Sequence, residues 1–202
     1  MEYVHRYGVQ LKLQSRLIAI DGAAKTATFE QKVGEETQIV HENFDMIHVV
    51  PPQCAPDFVR ASPLGAASGF IEVDEATLRH KRFANIFALG DACSASNAKT
   101  AAAARKQAPV VAINALSVLA GGAPRALYDG YGSCPLTVEA GKIVLAEFGY
   151  GGKLLPSFPR WLIDGTRPSR LAWLLKDTIL PPVYWHGMLK GREWLARPRL
   201  TD

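Results

Sequence analysis

Two short stretches of this chain carry residue types suited to chemistry. One is Gly132-Ser133-Cys134-Pro135, and the other is the apolar run Ile86-Phe87-Ala88-Leu89 ending at Gly90-Asp91. A cysteine flanked by small residues and proline, at a loop entering a strand, is accessible in a way that a core cysteine is not. A lone cysteine is also often a small buried hydrophobe, and the residues alone leave both readings open. Glycine at a strand end lets the backbone approach a ligand closely, and Asp91 can accept hydrogen bonds from hydroxyls such as those of a ribityl chain. Lys99-Thr100-Ala101-Ala102 then opens a helix. Its free N–H groups and positive dipole end would stabilise an anion or the electron-rich edge of a flavin. A Gly-Asp pair also closes ordinary strand-to-loop turns; it is the strand before it and the helix after it that point to a cofactor.

The other candidates are weaker. Cys54 and Cys93 form no CxxC pair with each other or with Cys134, and the five histidines are scattered, so metal-ligand spacing is absent. The histidines are read as surface or satisfied core residues.

The elements that would hold these groups follow from periodicity. Residues 8–50 read as a β meander: an alternating strand to Asp21, a second over KTATFEQ, a polar GEET tip, and a buried strand over Phe44–Val50. Residues 53–80 are broken by prolines and glycines. Lys99 to Leu119 is the clearest helix, alanine-rich with one apolar face, kinked at Pro109 and stopped by Gly121-Gly122. YGSCPLTVE and GKIVLAEFG read as two paired strands. After Gly151-Gly152, SRLAWLLKDTIL reads as a helix, Pro181-Pro182 as a break, and VYWHGMLKGREWLA as a second helix.

The composition, 48% hydrophobic and 21% charged over 202 residues, is that of a chain with a core. The net charge of +4 is mild and selects no partner; nothing in its distribution points to nucleic acid. From Lys153 onward nine basic residues face four acidic ones, and all four tryptophans lie there. Basic residues interleaved with tryptophan and leucine suit a segment lying in a membrane interface. No apolar run is long enough to span a bilayer. The opening MEYVHRYGVQLKL reads as neither a signal nor a transit peptide.

IFALGDA followed by an alanine-rich helix resembles the second FAD-contacting motif of the flavoproteins built from two dinucleotide-binding domains. Within that superfamily, KTAAAARKQAPVVAINAL and especially YDGYGSCPLTVEAGKIVLAEF are similar to sulfide:quinone oxidoreductases, the mitochondrial-like group above all. The resemblance runs from about Val50 to about Arg197 and implies an FAD-dependent enzyme. Gly90 and Asp91 would meet the ribityl chain, and Lys99, Thr100, Ala101 and Ala102 would line the isoalloxazine. Cys134 would be one of two cysteines holding a persulfide or trisulfide beside the flavin, while Cys54 and Cys93 would be non-catalytic. Sulfide, a small sulfur acceptor, a membrane quinone and the membrane surface would be the partners, with the protein bound peripherally on a side left open.

The expected fold is α/β: part of a two-domain FAD/NAD(P)-binding flavoprotein fold with C-terminal amphipathic membrane-docking helices. Residues 1–50 would be a remnant of the second dinucleotide-binding domain, 51–150 the C-terminal part of the FAD domain, and 151–202 the helical membrane and quinone segment. The GxGxxG turn of such enzymes and the upstream partner of Cys134 do not occur in the sequence. The resemblance therefore implies a C-terminal half, inactive alone, whose N-terminal half is either cut away or carried on another chain. Two other readings remain: a related quinone reductase, of the type II NADH dehydrogenase or flavocytochrome sulfide dehydrogenase kind, and a non-catalytic membrane-docking remnant.

Overall fold

The computed structural model describes residues 1–194 and 196–201. The chain is mixed α/β and divides into two compact units, Met1–Gln53 and Cys54–Asp202.

The first unit holds a short helix α1 (Glu2–Arg6) and an antiparallel meander of β1 (Ser15–Asp21), β2 (Thr26–Val33) and β3 (Glu36–Asn43). Gly34, at φ +65°, closes the tight β2–β3 turn inside the GEET tip. Asp21 accepts the Ala24 amide at 2.9 Å and shapes the turn before β2. Two expectations are corrected here. The first strand begins at Ser15, not near Gly8, and Phe44–Val50 is not a strand; Met46 and Val50 stand exposed. Apolar alternation marks a face to be covered, but a strand also needs a neighbour to pair with. Among the described residues no strand or bridge pairs with Phe44–Val50, although the Phe44 amide still donates to the Lys25 carbonyl at 2.9 Å.

The second unit begins with α2 (Asp57–Arg60) and irregular chain stitched by isolated bridges: Gly65 to Ile71, Ile71 to Cys93, Val73 to His80 and Arg79 to Phe87. Ile86–Leu89 therefore meets the core through one bridge and is not a regular strand; it runs into a 3-10 turn, Gly90–Ala92. The helix α3 (Ala101–Leu119) starts where Thr100 caps the Ala103 amide at 3.2 Å. It continues as one element through Pro109 and ends before Gly121, at φ +81°. Asn114 on α3 is fully buried and makes four hydrogen bonds. Its amide donates to the Thr77 and Ala126 carbonyls, and its oxygen accepts from the Arg125 and Ala126 amides. It ties α3 to β4 (Ala126–Leu127), which pairs with β7 (Arg199–Leu200).

β5 (Gly132–Glu139) and β6 (Lys142–Phe148) form the expected hairpin, turned at Gly141 (φ +76°) and flanked by the Glu139–Lys142 ion pair. The apolar face of β6 puts Ile143 and Leu145 into a core with Ile163 and Ala172. A second core gathers Val73, Leu78, Ala88, Cys93, Val110 and Tyr128. Each fully buried valine, leucine or isoleucine side chain in these cores contributes about 1.5–3 kcal/mol.

Ser169 caps α4 (Arg170–Leu174), which passes through a π-helical turn, Leu175–Ile179, into α5 (Leu180–His186). Pro181-Pro182 thus does not break the helix. The amides an α-helix would close onto the Asp177 and Thr178 carbonyls belong to those prolines and do not exist, and the wider π turn falls there. The expected second long helix is shorter: α5 is followed by a 3-10 turn, Met188–Lys190, that ends at left-handed Gly191. Leu195, which that expectation included, lies outside the described residues.

Candidate functional site

The start of β5 approaches the start of α3 because residue 132 has no side chain. A Cβ there would sit 3.1 Å from the Phe148 ring and 3.5 Å from the Ala98 carbonyl oxygen. This close approach brings Cys134, paired with Ala146 across the hairpin, to the first turn of α3. The result is a cavity of 400 Å³ whose lining includes Thr100, Ala101, Ala102, Tyr131, Cys134 and Glu147. Arg105 and Lys106 bring positive charge to its α3 side. Lys106 Nζ lies 5.2 Å from the centre of the Tyr131 ring, and Arg105 donates to the Trp194 carbonyl. Cys134 is exposed; Cys93 is fully buried, its thiol donating to the Gly90 carbonyl at 3.3 Å. Cys54 is exposed and does not line the cavity.

Four of the sequence-derived site residues, Thr100, Ala101, Ala102 and Cys134, thus meet in one cavity. Gly90, Asp91 and Lys99 do not line it. Gly90 takes φ +65°, and its amide donates to the buried Gln107 side chain at 2.7 Å, which pins the Gly-Asp turn against α3. The Asp91 side chain stands exposed on that turn. The Lys99 ammonium donates to the Cys93 carbonyl at 2.5 Å and lies 4.6 Å from the centre of the Phe70 ring. It braces the 93–99 loop.

Two polar residues escaped the sequence reading. Gln107 gives no local signal, since its contact with Gly90 spans 17 positions. Glu147 occupies a position that the Ile143, Leu145 alternation reserves for the core, and it is only 6% exposed. Its carboxylate accepts from the Tyr131 hydroxyl at 2.6 Å and from the Ser157 amide at 3.0 Å. Burial, then the Glu147 acceptor, pushes the Tyr131 phenol up to about 12. His80, also buried, has both ring nitrogens engaged: Nδ1 accepts the Arg82 and Phe83 amides, and Nε2 donates to the Leu64 carbonyl. Among the described residues no group of three His, Cys, Asp or Glu side chains is placed to hold a metal.

No family model matches the chain. Similar full proteins do exist. A mitochondrial sulfide:quinone oxidoreductase of Dictyostelium discoideum is 40% identical over 196 residues, covering 96% of this chain and 42% of that protein. This chain resembles the sulfide:quinone oxidoreductases. The mitochondrial enzymes of Schizosaccharomyces pombe (35% over 195 residues; 96% and 42% of the two chains) and Mus musculus (34% over 192 residues; 94% and 41%) are similar to it as well. The chain spans about two-fifths of the length of these curated relatives. Among solved structures, a chain in the cryo-EM structure of the Tetrahymena thermophila mitochondrial ATP synthase F1Fo tetramer superposes with TM-score 0.68. It is 24% identical over 96% of this chain and 44% of its own length, a likeness of fold alone.

Proposed function

We propose that this chain is the C-terminal part of an FAD-dependent sulfide:quinone oxidoreductase, with Cys134 as one of its two redox cysteines. The observation that carries the reading is the cavity in which Cys134 meets the first turn of α3. The residues there suit a flavin. Ala101 and Ala102 present no bulk to a planar ring, Thr100 caps the helix beside them, and the Asp91 carboxylate is exposed for a polyol. Gly90 supplies the turn that sets Asp91, and Lys99 fixes the loop that leads to Thr100. When bound, FAD would supply two-electron transfer between thiol and quinone.

The work of this chain's own residues is then sulfur chemistry at Cys134. Hydrosulfide attacks the Cys134 sulfur of a bridge to the upstream cysteine. One sulfur–sulfur bond forms, the bridge breaks, and the electron pair leaves on the partner thiolate. Cys134 is left as a persulfide. A small thiolate acceptor takes the outer sulfur as its own persulfide and returns Cys134 as thiolate.

The C-terminal segment fits peripheral membrane docking. Trp161, Leu171, Leu174, Ile179, Trp185 and Leu189 are exposed, with Arg160, Arg167, Arg170 and Lys190 exposed among them. Among the described residues no helix is long and apolar enough to cross a membrane. Leu175 and Leu180 reach from this segment into the Cys134 cavity, which suits an apolar quinone arriving from the bilayer.

The test is Cys134→Ser in the complete protein. Sulfide-dependent quinone reduction should be abolished with flavin still bound; normal turnover refutes the assignment.

A further inference from the structure

Glutamine is mostly an exposed residue, because its amide has to keep hydrogen-bond partners when it leaves water. Gln107, in the middle of α3, is fully buried. Its oxygen accepts the Gly90 amide at 2.7 Å, and its nitrogen donates to the Asn97 side-chain oxygen at 3.4 Å. The Gly90 N–H is a donor only, so it fixes which end of the side chain is the oxygen. One residue of α3 thus holds both the Gly-Asp turn and the loop that leads to Thr100, the cap of the same helix. The other side of Gly90 is held as well: its carbonyl accepts the Cys93 thiol at 3.3 Å and the Cys93 amide at 3.4 Å. Gly90 also lies close against α3. A Cβ there would stand 3.8 Å from the Ala104 methyl, three residues before Gln107. Asp91, the next residue, is exposed, and among the described residues no hydrogen bond or ion pair holds its side chain. Its placement therefore comes from the backbone of the turn, which α3 sets through Gln107.

We infer that Gln107 is the positioning residue for the flavin, an assignment that rests on the flavin reading above. It fixes the Gly90–Asp91 turn relative to the first turn of α3, so that the Asp91 carboxylate and Thr100–Ala102 are presented together to one cofactor. Gln107 does not line the cavity of Cys134, and it acts through Asp91 rather than by touching the flavin. A carboxylate already in place loses less freedom on binding, and that saving appears as affinity. Leucine would fill the same core volume without a polar group to satisfy, but it would leave the Gly90 amide without its acceptor and the turn free to shift.

The experiment is a double-mutant cycle on flavin affinity. The complete protein is stripped of flavin and titrated with FAD, followed by flavin fluorescence. Gln107→Leu and Asp91→Ala should each weaken binding on the order of tenfold. The double variant should bind FAD as Asp91→Ala does, because the first loss passes through the second residue. A general loosening of the fold would instead add its loss in either background. Asn97→Ala frees only the Gln107 nitrogen and should show a smaller loss that likewise vanishes beside Asp91→Ala, which keeps the inference testable if the leucine variant does not fold. Losses that multiply in the double variants, or no loss on substituting Gln107 or, failing that variant, Asn97, overturn the role of Gln107. An unsubstituted protein that takes up no FAD, or Asp91→Ala that binds it as tightly as the unsubstituted protein, instead overturns the flavin reading itself.

Discussion

Replacing Asn114 with alanine should destabilise the second unit by about 4 kcal/mol. The side chain is fully buried and serves four backbone groups, the carbonyls of Thr77 and Ala126 and the amides of Arg125 and Ala126. Carbonyls have a second lone pair and tolerate the loss better, so the two amides decide the magnitude. Each buried donor left without a partner costs about 1–3 kcal/mol, which gives about 2–6 kcal/mol for the pair. Whole-domain stabilities are about 5–15 kcal/mol, so the loss is a large fraction of the total. Urea unfolding followed by tryptophan fluorescence measures it cleanly, because all four tryptophans lie beyond residue 160, in the second unit. The midpoint should fall sharply with little change in slope. A loss below about 1 kcal/mol would mean that water replaces the side chain, and that Asn114 does not hold α3 to β4.

Four further outcomes are expected. Lys176 donates to the Pro135 carbonyl at 3.2 Å and the Thr137 hydroxyl at 2.9 Å, clamping β5 just past Cys134. Lys176→Met should therefore cost about 1 kcal/mol in the same assay, and an unchanged midpoint would remove the clamp. In an alkaline absorbance titration Tyr131 should ionise near pH 12, with Tyr128 and Tyr150 also raised by burial. Because the folded Tyr131 phenol lies above its ordinary value of 10.0, its stabilising effect is full below that value and is lost as pH rises through about 12. A single early phase covering all six tyrosines would contradict this. Alkylation of the native chain should label Cys54 and Cys134 and spare Cys93 until unfolding; rapid labelling at all three would contradict the buried Cys93 thiol. Replacing exposed Trp185 and Leu189 together with serine should weaken binding to anionic vesicles on the order of tenfold, with the fold intact. Unchanged partition would argue against membrane docking by this face.

What was readable along the chain was local. The β5–β6 hairpin shows itself because alternation and Gly141 act within a few residues, and α3 because Thr100 and Gly121 mark its ends. Cys134 and the Gly-Asp turn stood out for the same reason: small residues beside a reactive or polar one form a short-range pattern. Only the folded chain decided the rest. Phe44–Val50 and Ile86–Leu89 have strand-like composition, yet regular pairing depends on a neighbour that composition does not name. At Pro181-Pro182 the missing amides were legible, but their accommodation by a π turn depended on α4 already being anchored on β6 through Ala172 and Ile143. Glu147 reads as a misplaced charge on the core face of β6 until Tyr131, 16 residues away, and the Ser157 amide close around it. Residue types and their spacing determined which groups could react. Loop closure and packing, which act across distances the local pattern does not record, decided that Cys134, the first turn of α3 and a buried carboxylate share one cavity.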